Sequence, residues 1–271
     1  MASASSPAPS TPRRRDDGGL VGVGCGGLLS RGYRVTGALE AALATLKFLE
    51  VPEPLHGKAL AKALDSGFID VLSKSLNSPS DVDDLLKPIE VVAEAAGLDP
   101  LTHHKLVFVR SLLSKVVRLS RKVESVLGRR RRVYVALGHP LYAKRVGAYQ
   151  VLLTEFVGCD CINRRLKRGD VTGPNADVEE LTSLDPEVVI IDPHTLYTVR
   201  DFLRKAIELG IRVTAVRSGR VFKVPKKYRK LPYWPLMMLY IGRKVYPEIY
   251  SRSLLPHAQS ILAPELRGIT Y

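Results

Sequence analysis

The chain has 271 residues and a formal net charge of +14, with 45% hydrophobic and 25% charged residues. This composition argues against global disorder, and the length suits one large domain or two lobes of roughly 130 residues each. Such a charge favours anionic partners, but no recognisable nucleic-acid-binding module accompanies it. A solvated basic surface is therefore the simpler interpretation, and we expect no nucleic-acid partner.

Cysteines and apolar runs narrow the class of protein further. Three cysteines, Cys25, Cys159 and Cys161, cannot form a disulfide framework, and a C-x-C pair alone makes a poor zinc site. We predict no metal site and no cofactor. No apolar run reaches 18 residues, so no transmembrane helix is predicted. The apolar segment 18–29 follows arginines at 13–15, but intervening aspartates weaken its interpretation as a secretion signal.

The first 128 residues predict a tail followed mainly by helices. Residues 1–17, rich in Ser, Pro, Ala and Arg, are predicted to be disordered. The elements predicted next are a strand at 21–23, helices at 38–49 and 57–64, a buried strand at Phe68–Leu72, and a helix capped by Ser80 that ends before Gly97. An amphipathic helix over 101–127 would span about 40 Å, long enough to bridge two lobes.

From residue 132 onward the pattern alternates between strands and helices. The strands are predicted at 133–137, 188–191, Ile211–Ala215 and 221–224, and the helices at 148–157, 177–184, 198–209 and 233–246. The second helix has Asp177 as its N-cap. The continuous apolar run at 188–191 is typical of a parallel strand buried on both faces. This alternation predicts a mostly parallel sheet flanked by helices.

Five segments in this half, taken in order, carry a family resemblance over about residues 131–250. They are RRVYVALGHPLY, YQVLLTEFVGCDCIN, DVEELTSLDPEVVIIDP, AVRSGRVFKVP and PLMMLYIGRKVYPE. Together they resemble the C-terminal lobe of the class III periplasmic binding proteins, which deliver ferric siderophores, haem, cobalamin and some oxyanions to ABC importers. Upstream, SGFIDVLSKSLNSPSDVDDLLKPIEVVAEAAG is similar to the end of that family's first lobe, but its usual first strand and helix have no visible counterpart.

The resemblance implies an α/β fold of two lobes, each a mostly parallel sheet flanked by helices, joined by one long interlobe helix. The implied boundaries are a disordered tail at 1–17, an N-terminal lobe at 18–100, an interlobe helix at 101–128 and a C-terminal lobe at 131–271. Without a counterpart of the family's first strand and helix, the N-terminal lobe would be incomplete. In such a protein the ligand lies between the lobes, and the stiff helix allows little closure, so affinity depends on a preformed cleft.

Ligand contacts are expected in loops that follow the strands, at the strand ends that face the cleft. His139 and Tyr142 follow the first strand of the second lobe, His194 and Tyr197 follow the strand at 188–191, and Arg217 follows the predicted strand ending at Ala215. Histidine and tyrosine ligate ferric haem iron, and arginine pairs with anions in a bidentate manner. A loop residue without a ligand remains the alternative for each.

Three further residues are predicted to act in ligand stacking or in docking on the permease. Tyr233 and Trp234 would stack on a flat macrocycle, although packing is the alternative for Trp234. The resemblance implies that Glu155 docks on arginines of the permease, against the alternative of an ordinary surface glutamate. Catalysis has little support, because no nucleophile elbow or phosphate-binding loop is present. Asp192 and His194 lie close together in the sequence without a serine or cysteine nucleophile, so we predict no enzyme.

We therefore predict the substrate-binding component of an ABC importer, with a chelated iron, haem or corrinoid ligand in an interlobe cleft. Its partners would be the ABC permease and ATPase, and the chain would be a monomer in the periplasm or on the extracellular face of the membrane. The lack of a convincing signal peptide keeps a cytoplasmic location open. Two alternatives also remain open: an intracellular α/β protein that reuses this lobe as a metal-cofactor chaperone or enzyme subunit, and a basic nucleic-acid-associated protein.

Overall fold

The computed structural model describes residues 25–77, 81, 83–168 and 174–264. The tail predicted at 1–17, the strand at 21–23 and the cap at Ser80 lie outside the described residues. Among the helices that the structure describes, none combines the length and the apolar character required to cross a bilayer.

The first half of the described chain is helical. Its helices are α1 Cys25–Phe48, α2 Glu53–Asp65, α3 Phe68–Asn77, α4 Asp83–Ala95 and α5 His104–Leu127. The buried strand predicted at Phe68–Leu72 is wrong, because these residues form the start of α3. Phe68 and Leu72 are both buried since they lie one helical turn apart on the same face. Across the described part of residues 25–127, the structure contains helices and no strand, so the mostly parallel sheet predicted for the first lobe is absent from these residues.

The second half is built on a parallel sheet of four strands. The strands are β1 Arg132–Ala136, β2 Asp160–Cys161, β3 Val188–Ile191 and β4 Val221–Lys223, in the order β2-β1-β3-β4. Every neighbouring pair is parallel, and β1 pairs with β3 so that Val135 lies opposite Ile190. All four residues of β3 are buried, as its apolar run predicted. The α/β architecture of this half is confirmed, while β2 was not predicted.

Helices cover both faces of the sheet. They are α6 Tyr149–Phe156, α7 Val178–Leu184, α8 Val199–Glu208, α9 Thr214–Arg217, α10 Trp234–Val245 and α11 Leu254–Leu262, with 3₁₀ turns at Ile162–Arg165, Lys226–Arg229 and Leu231–Tyr233. Asp177 caps α7 by accepting from the backbone N–H of Glu180 at 2.7 Å, as predicted. The strand predicted at Ile211–Ala215 is wrong, because α9 begins at Thr214. The helix α11 was not predicted.

A single apolar core joins the helical half to the sheet. It extends from α1 through α4 and α5, across one face of β1 and β3, to α10 and α11. The long helix α5 packs against α4 as well as against α6, α10 and α11. A smaller core lies on the opposite face of the sheet, beneath α7 and α8. The sheet is thus held between two apolar layers, and its strand ends are left free to carry polar groups.

Candidate functional site

The carboxyl edge of the sheet, where β1 and β3 end side by side, brings several polar loops together. In parallel sheets this edge is the usual place for a ligand. The loop after β1 approaches the loop after β3 at Gly138, which has a φ of 149°. A Cβ atom added to Gly138 would lie 2.4 Å from Oγ1 of Thr195. Glycine is therefore needed here for both its backbone conformation and its lack of a side chain.

A buried carboxylate lies at the centre of this edge. Asp192 directly follows β3 and is fully buried. Its Oδ2 atom lies 2.6 Å from Nζ of Lys144 and accepts from Nε2 of Gln150 at 2.9 Å. Its Oδ1 atom accepts from the backbone N–H of His194 at 2.6 Å. The charge is thus compensated by one cation and two further donors, which fixes the start of the His194 loop.

His194, Tyr149 and Trp234 form a connected group next to this carboxylate. The Tyr149 hydroxyl lies 3.0 Å from Nε2 of His194, and the Tyr149 ring stacks on Trp234 with centroids 4.9 Å apart. Partial desolvation lowers the pKa of His194, and Lys144 lowers it further, although Asp192 opposes the shift. Burial raises the pKa of Tyr149. His194 is therefore available as an uncharged ligand, and the protonated Tyr149 hydroxyl as a hydrogen-bond partner.

This group lines a cavity of about 700 Å³ between the sheet edge and helices α1 and α3. The wall formed by the second half carries Tyr149, His194 and Trp234 together with the cations Arg145, Arg229 and Lys230. The facing helical wall contributes small and apolar side chains, with Glu40 and Asp70 as its acids. The cavity thus has one aromatic and cationic wall and one mixed wall, and the two come from different halves of the chain.

A second aromatic group lies at the same edge but does not line this cavity. The His139 ring meets the rings of Tyr142 and Tyr197 edge-on, with centroids 5.2 and 6.2 Å away. Its Nδ1 atom accepts from the backbone N–H of Leu141 at 3.2 Å, and burial lowers its pKa. Lys223 donates to the backbone oxygen of Tyr197 at 2.7 Å and so fixes that loop. Five of the seven predicted ligand residues therefore divide into two groups, His194 with Trp234 and His139 with Tyr142 and Tyr197.

Arg217 belongs to neither group. Its Nη2 atom donates to Oγ1 of Thr214 at 3.2 Å, and Thr214 is held by Asp185, which precedes β3. Its expected place after a strand is wrong, because residues 214–217 form α9 near the amino edge of the sheet. Tyr233 also faces the core, since its ring meets Phe48 of α1 edge-on at 5.9 Å.

Glu155, the predicted docking residue, is already paired in the structure. Both of its carboxylate oxygens bind Arg164, with Nη2 and Oε2 2.7 Å apart. It lies near the end of α6, beside a groove that Asp160 at the start of β2 also lines. Docking through Glu155 therefore requires an incoming arginine to share or displace Arg164.

Sequence reasoning missed the partners that make the site coherent. Tyr149, Arg145 and Lys144 were not selected, because their roles depend on how α6 and the loop before it fold back on β1. One signal was present in the sequence: Asp192 directly follows a fully apolar strand, where a carboxylate is costly unless a cation lies nearby. That cost predicts a nearby lysine or arginine without identifying which one.

No protein-family model matches the chain, and no curated protein matches it significantly. Solved structures do match. The Helicobacter pylori CeuE protein with Ni(II) bound is 17% identical, with a TM-score of 0.54 over 68% of this chain and 59% of that one. A periplasmic solute-binding protein from Veillonella parvula is 16% identical, with a TM-score of 0.51 over 68% and 57%.

An ABC transporter solute-binding protein from Sulfurospirillum deleyianum is 15% identical, with a TM-score of 0.50 over 66% of this chain and 56% of that one. The chain thus spans less than two thirds of the length of each neighbour. Identities this low support a shared fold and leave function to the site itself. Together with the parallel sheet and its flanking helices, these matches show that the chain has the fold of the class III periplasmic binding proteins.

Proposed function

We propose that this chain is a solute-binding component that serves an ABC importer and holds a chelated iron, haem or corrinoid ligand. The observation that carries the proposal is the cavity of about 700 Å³ between the helical half and the carboxyl edge of the sheet. Cavities of roughly 300–1,000 Å³ suit small-molecule ligands. The role is binding rather than catalysis.

The chemistry of the cavity wall supports an anionic ligand. A neutral imidazole, as in His194, is a ligand for haem iron, and the protonated hydroxyl of Tyr149 is a hydrogen-bond partner for that imidazole or for the ligand. Arg145, Arg229 and Lys230 on the same wall suit carboxylate or catecholate groups. Trp234 is 3% exposed, so it supports the Tyr149 ring from behind rather than offering a broad stacking surface.

The remaining predicted residues keep narrower roles in this proposal. His139, Tyr142 and Tyr197 would contact a ligand that extends along the sheet edge beyond the cavity. Glu155 would dock on a permease arginine in exchange for Arg164. The solute-binding proteins that share the fold support an ABC permease as partner and a site of action in the periplasm or outside the membrane.

A second candidate is a protein that reuses this fold to carry or insert a metal cofactor inside the cell. The observation that favours it is the helical first half, because the described residues 25–127 supply helices where a two-lobed binding protein would supply a second sheet. The cavity wall on that side therefore differs from the wall of an α/β lobe.

The test is a thermal-shift and absorbance titration with haemin, cyanocobalamin and ferric catecholate and hydroxamate siderophores, at low and high salt. A ligand at 100 times its Kd should add about 2.7 kcal/mol of stability. His194→Gln should abolish the spectral change of an iron ligand, and Tyr149→Phe should weaken binding.

The control is His257→Gln, because His257 is an exposed histidine on α11 that does not line the cavity. It should leave ligand binding unchanged. Equal binding by the wild type and His194→Gln would show that His194 does not contribute to ligand binding. A well-folded protein that none of these ligands stabilises would overturn the proposal in favour of the second candidate.

A further inference from the structure

The exposed side of α5 carries four cations with no acidic partner. Lys115, Arg118, Arg121 and Lys122 are exposed and form no ion pair with any residue that the structure describes. Spacings of three and four place Lys115, Arg118 and Lys122 along one side of the helix. We call these four residues the basic face. The opposite side of α5 is buried in the core, so its orientation is fixed.

The surroundings of the basic face do not cancel its charge. The end of α5 borders a groove of about 940 Å³ whose other wall is the segment 159–165. The acids that line this groove are each paired with an arginine of their own: Glu124 with Arg130, Glu155 with Arg164 and Asp160 with Arg165. No carboxylate of the groove is therefore left to neutralise the four cations of the basic face.

The side chains on this surface favour a membrane over a nucleic acid. Val126 is 60% exposed and follows Lys122 by one helical turn. An aliphatic side chain among cations suits the boundary between headgroups and acyl chains. No aromatic residue occurs between positions 109 and 133, so this part of α5 itself supplies none of the rings on which the bases of a single strand stack.

We propose that the basic face binds the anionic headgroups of a phospholipid membrane, with Val126 at the headgroup boundary. The 24 residues of α5 form a rod of about 36 Å, long enough to lie along a bilayer surface with all four cations facing it. Attraction of this kind falls off within a Debye length, so binding should weaken as salt rises. The proposal concerns the side of α5 that faces away from the core and does not depend on the ligand in the cavity.

The experiment is co-sedimentation of the full chain with phosphatidylcholine vesicles and with phosphatidylcholine vesicles that contain phosphatidylglycerol. We expect salt-sensitive binding to the second kind only. The triple variant Lys115→Gln, Arg118→Gln, Lys122→Gln should reduce the partition coefficient roughly tenfold to hundredfold. Val126→Ser should reduce it by a smaller factor, about threefold.

The matched control is Lys58→Gln, Lys62→Gln, Arg200→Gln, which removes the same charge from exposed cations elsewhere. This variant should bind the acidic vesicles within about twofold of the wild type. An equal loss in both triple variants would mean that net charge, rather than the basic face, drives binding. Binding to duplex DNA without binding to acidic vesicles would also overturn the proposal. Thermal melting verifies that each variant is folded.

Discussion

Charged side chains form ion pairs at both edges of the sheet, but the pair at the carboxyl edge is buried and the pairs at the amino edge are exposed to water. At the carboxyl edge, Asp192 is fully buried and Lys144 is its cation, with a side chain 18% exposed. At the amino edge, pairs such as Arg165–Asp160 stay in contact with water, with side chains 45% and 40% exposed. Similar contact distances of 2.6 and 2.7 Å therefore have different energetic consequences.

The difference follows from solvation. A buried charge that loses its partner is left in a medium that solvates it poorly, whereas an exposed charge is returned to water. The carboxyl edge holds its polar groups rigidly and can keep a preformed cavity. The ion pairs of the amino edge are exposed to water, so their partners can be exchanged when another molecule binds there.

The largest expected effect comes from breaking the buried pair. Lys144→Met should destabilise the fold by about 3–5 kcal/mol, because Asp192 remains buried without its cation. Arg165→Gln at the amino edge should cost at most about 1 kcal/mol. Urea denaturation at pH 7 measures both free energies of unfolding.

The double variant Lys144→Met, Asp192→Asn serves as the control for this pair. It removes both charges and should recover part of the stability lost in Lys144→Met. Equal destabilisation by Lys144→Met and Arg165→Gln would contradict the contrast between the two edges.

A comparison of two glycines tests how closely the backbone is packed at the carboxyl edge. Gly138→Ala should cost about 3 kcal/mol, because its Cβ would overlap Oγ1 of Thr195 and its φ is positive. Gly128→Ala, after α5, also has a positive φ of 72° but nothing within 4 Å. It should cost only about 1 kcal/mol. Thermal unfolding of the two variants measures the difference, and equal melting temperatures would exclude close packing at Gly138.

The smallest effects should appear in the pH dependence of stability. The folded-state pKa values of His139 and His194 lie below the usual value, mainly through burial. The unfolded chain therefore binds these protons more readily, so their contribution is full above about pH 6.5 and falls as the pH drops below it. Glu187, whose pKa is lowered first by its bond to Arg129, keeps its contribution down to about pH 4.3 and loses it below that value.

Urea denaturation at a series of pH values separates these two steps. His139→Gln with His194→Gln should flatten the decline that begins near pH 6.5, and Glu187→Gln should change only the decline at lower pH. A histidine double variant with the pH profile of the wild type would show that other groups control stability in that range.

The sequence predicted best where local chemistry decides the structure. The run at 188–191 is apolar throughout and forms a fully buried strand, and Asp177 caps the helix that was assigned to it. Phe68–Leu72 was misassigned because a short apolar run fits a strand or a buried helix equally well. Ile211–Ala215 was misassigned because Thr214 starts a helix that Asp185 stabilises from 29 positions away.

The same distinction applies to the candidate site. The sequence placed His139 and His194 correctly at the carboxyl edge, because they follow strands whose ends it indicates, while their contact with a ligand stays a prediction. Tyr149 could not be found in this way, since its pairing with His194 and Trp234 joins segments that are far apart in the chain. Arg217 was misplaced because the strand assigned before it is a helix.

The unbroken core from α1 to α11 has a consequence for how the molecule comes apart. The helical and α/β halves share one apolar interior across α5 and α10, so we expect the two halves to unfold together. Amide hydrogens in α4 and in β3 should exchange through the same global opening and give matching free energies. Cleavage in the turn between α4 and α5 would then leave the two pieces associated as a nicked but folded complex.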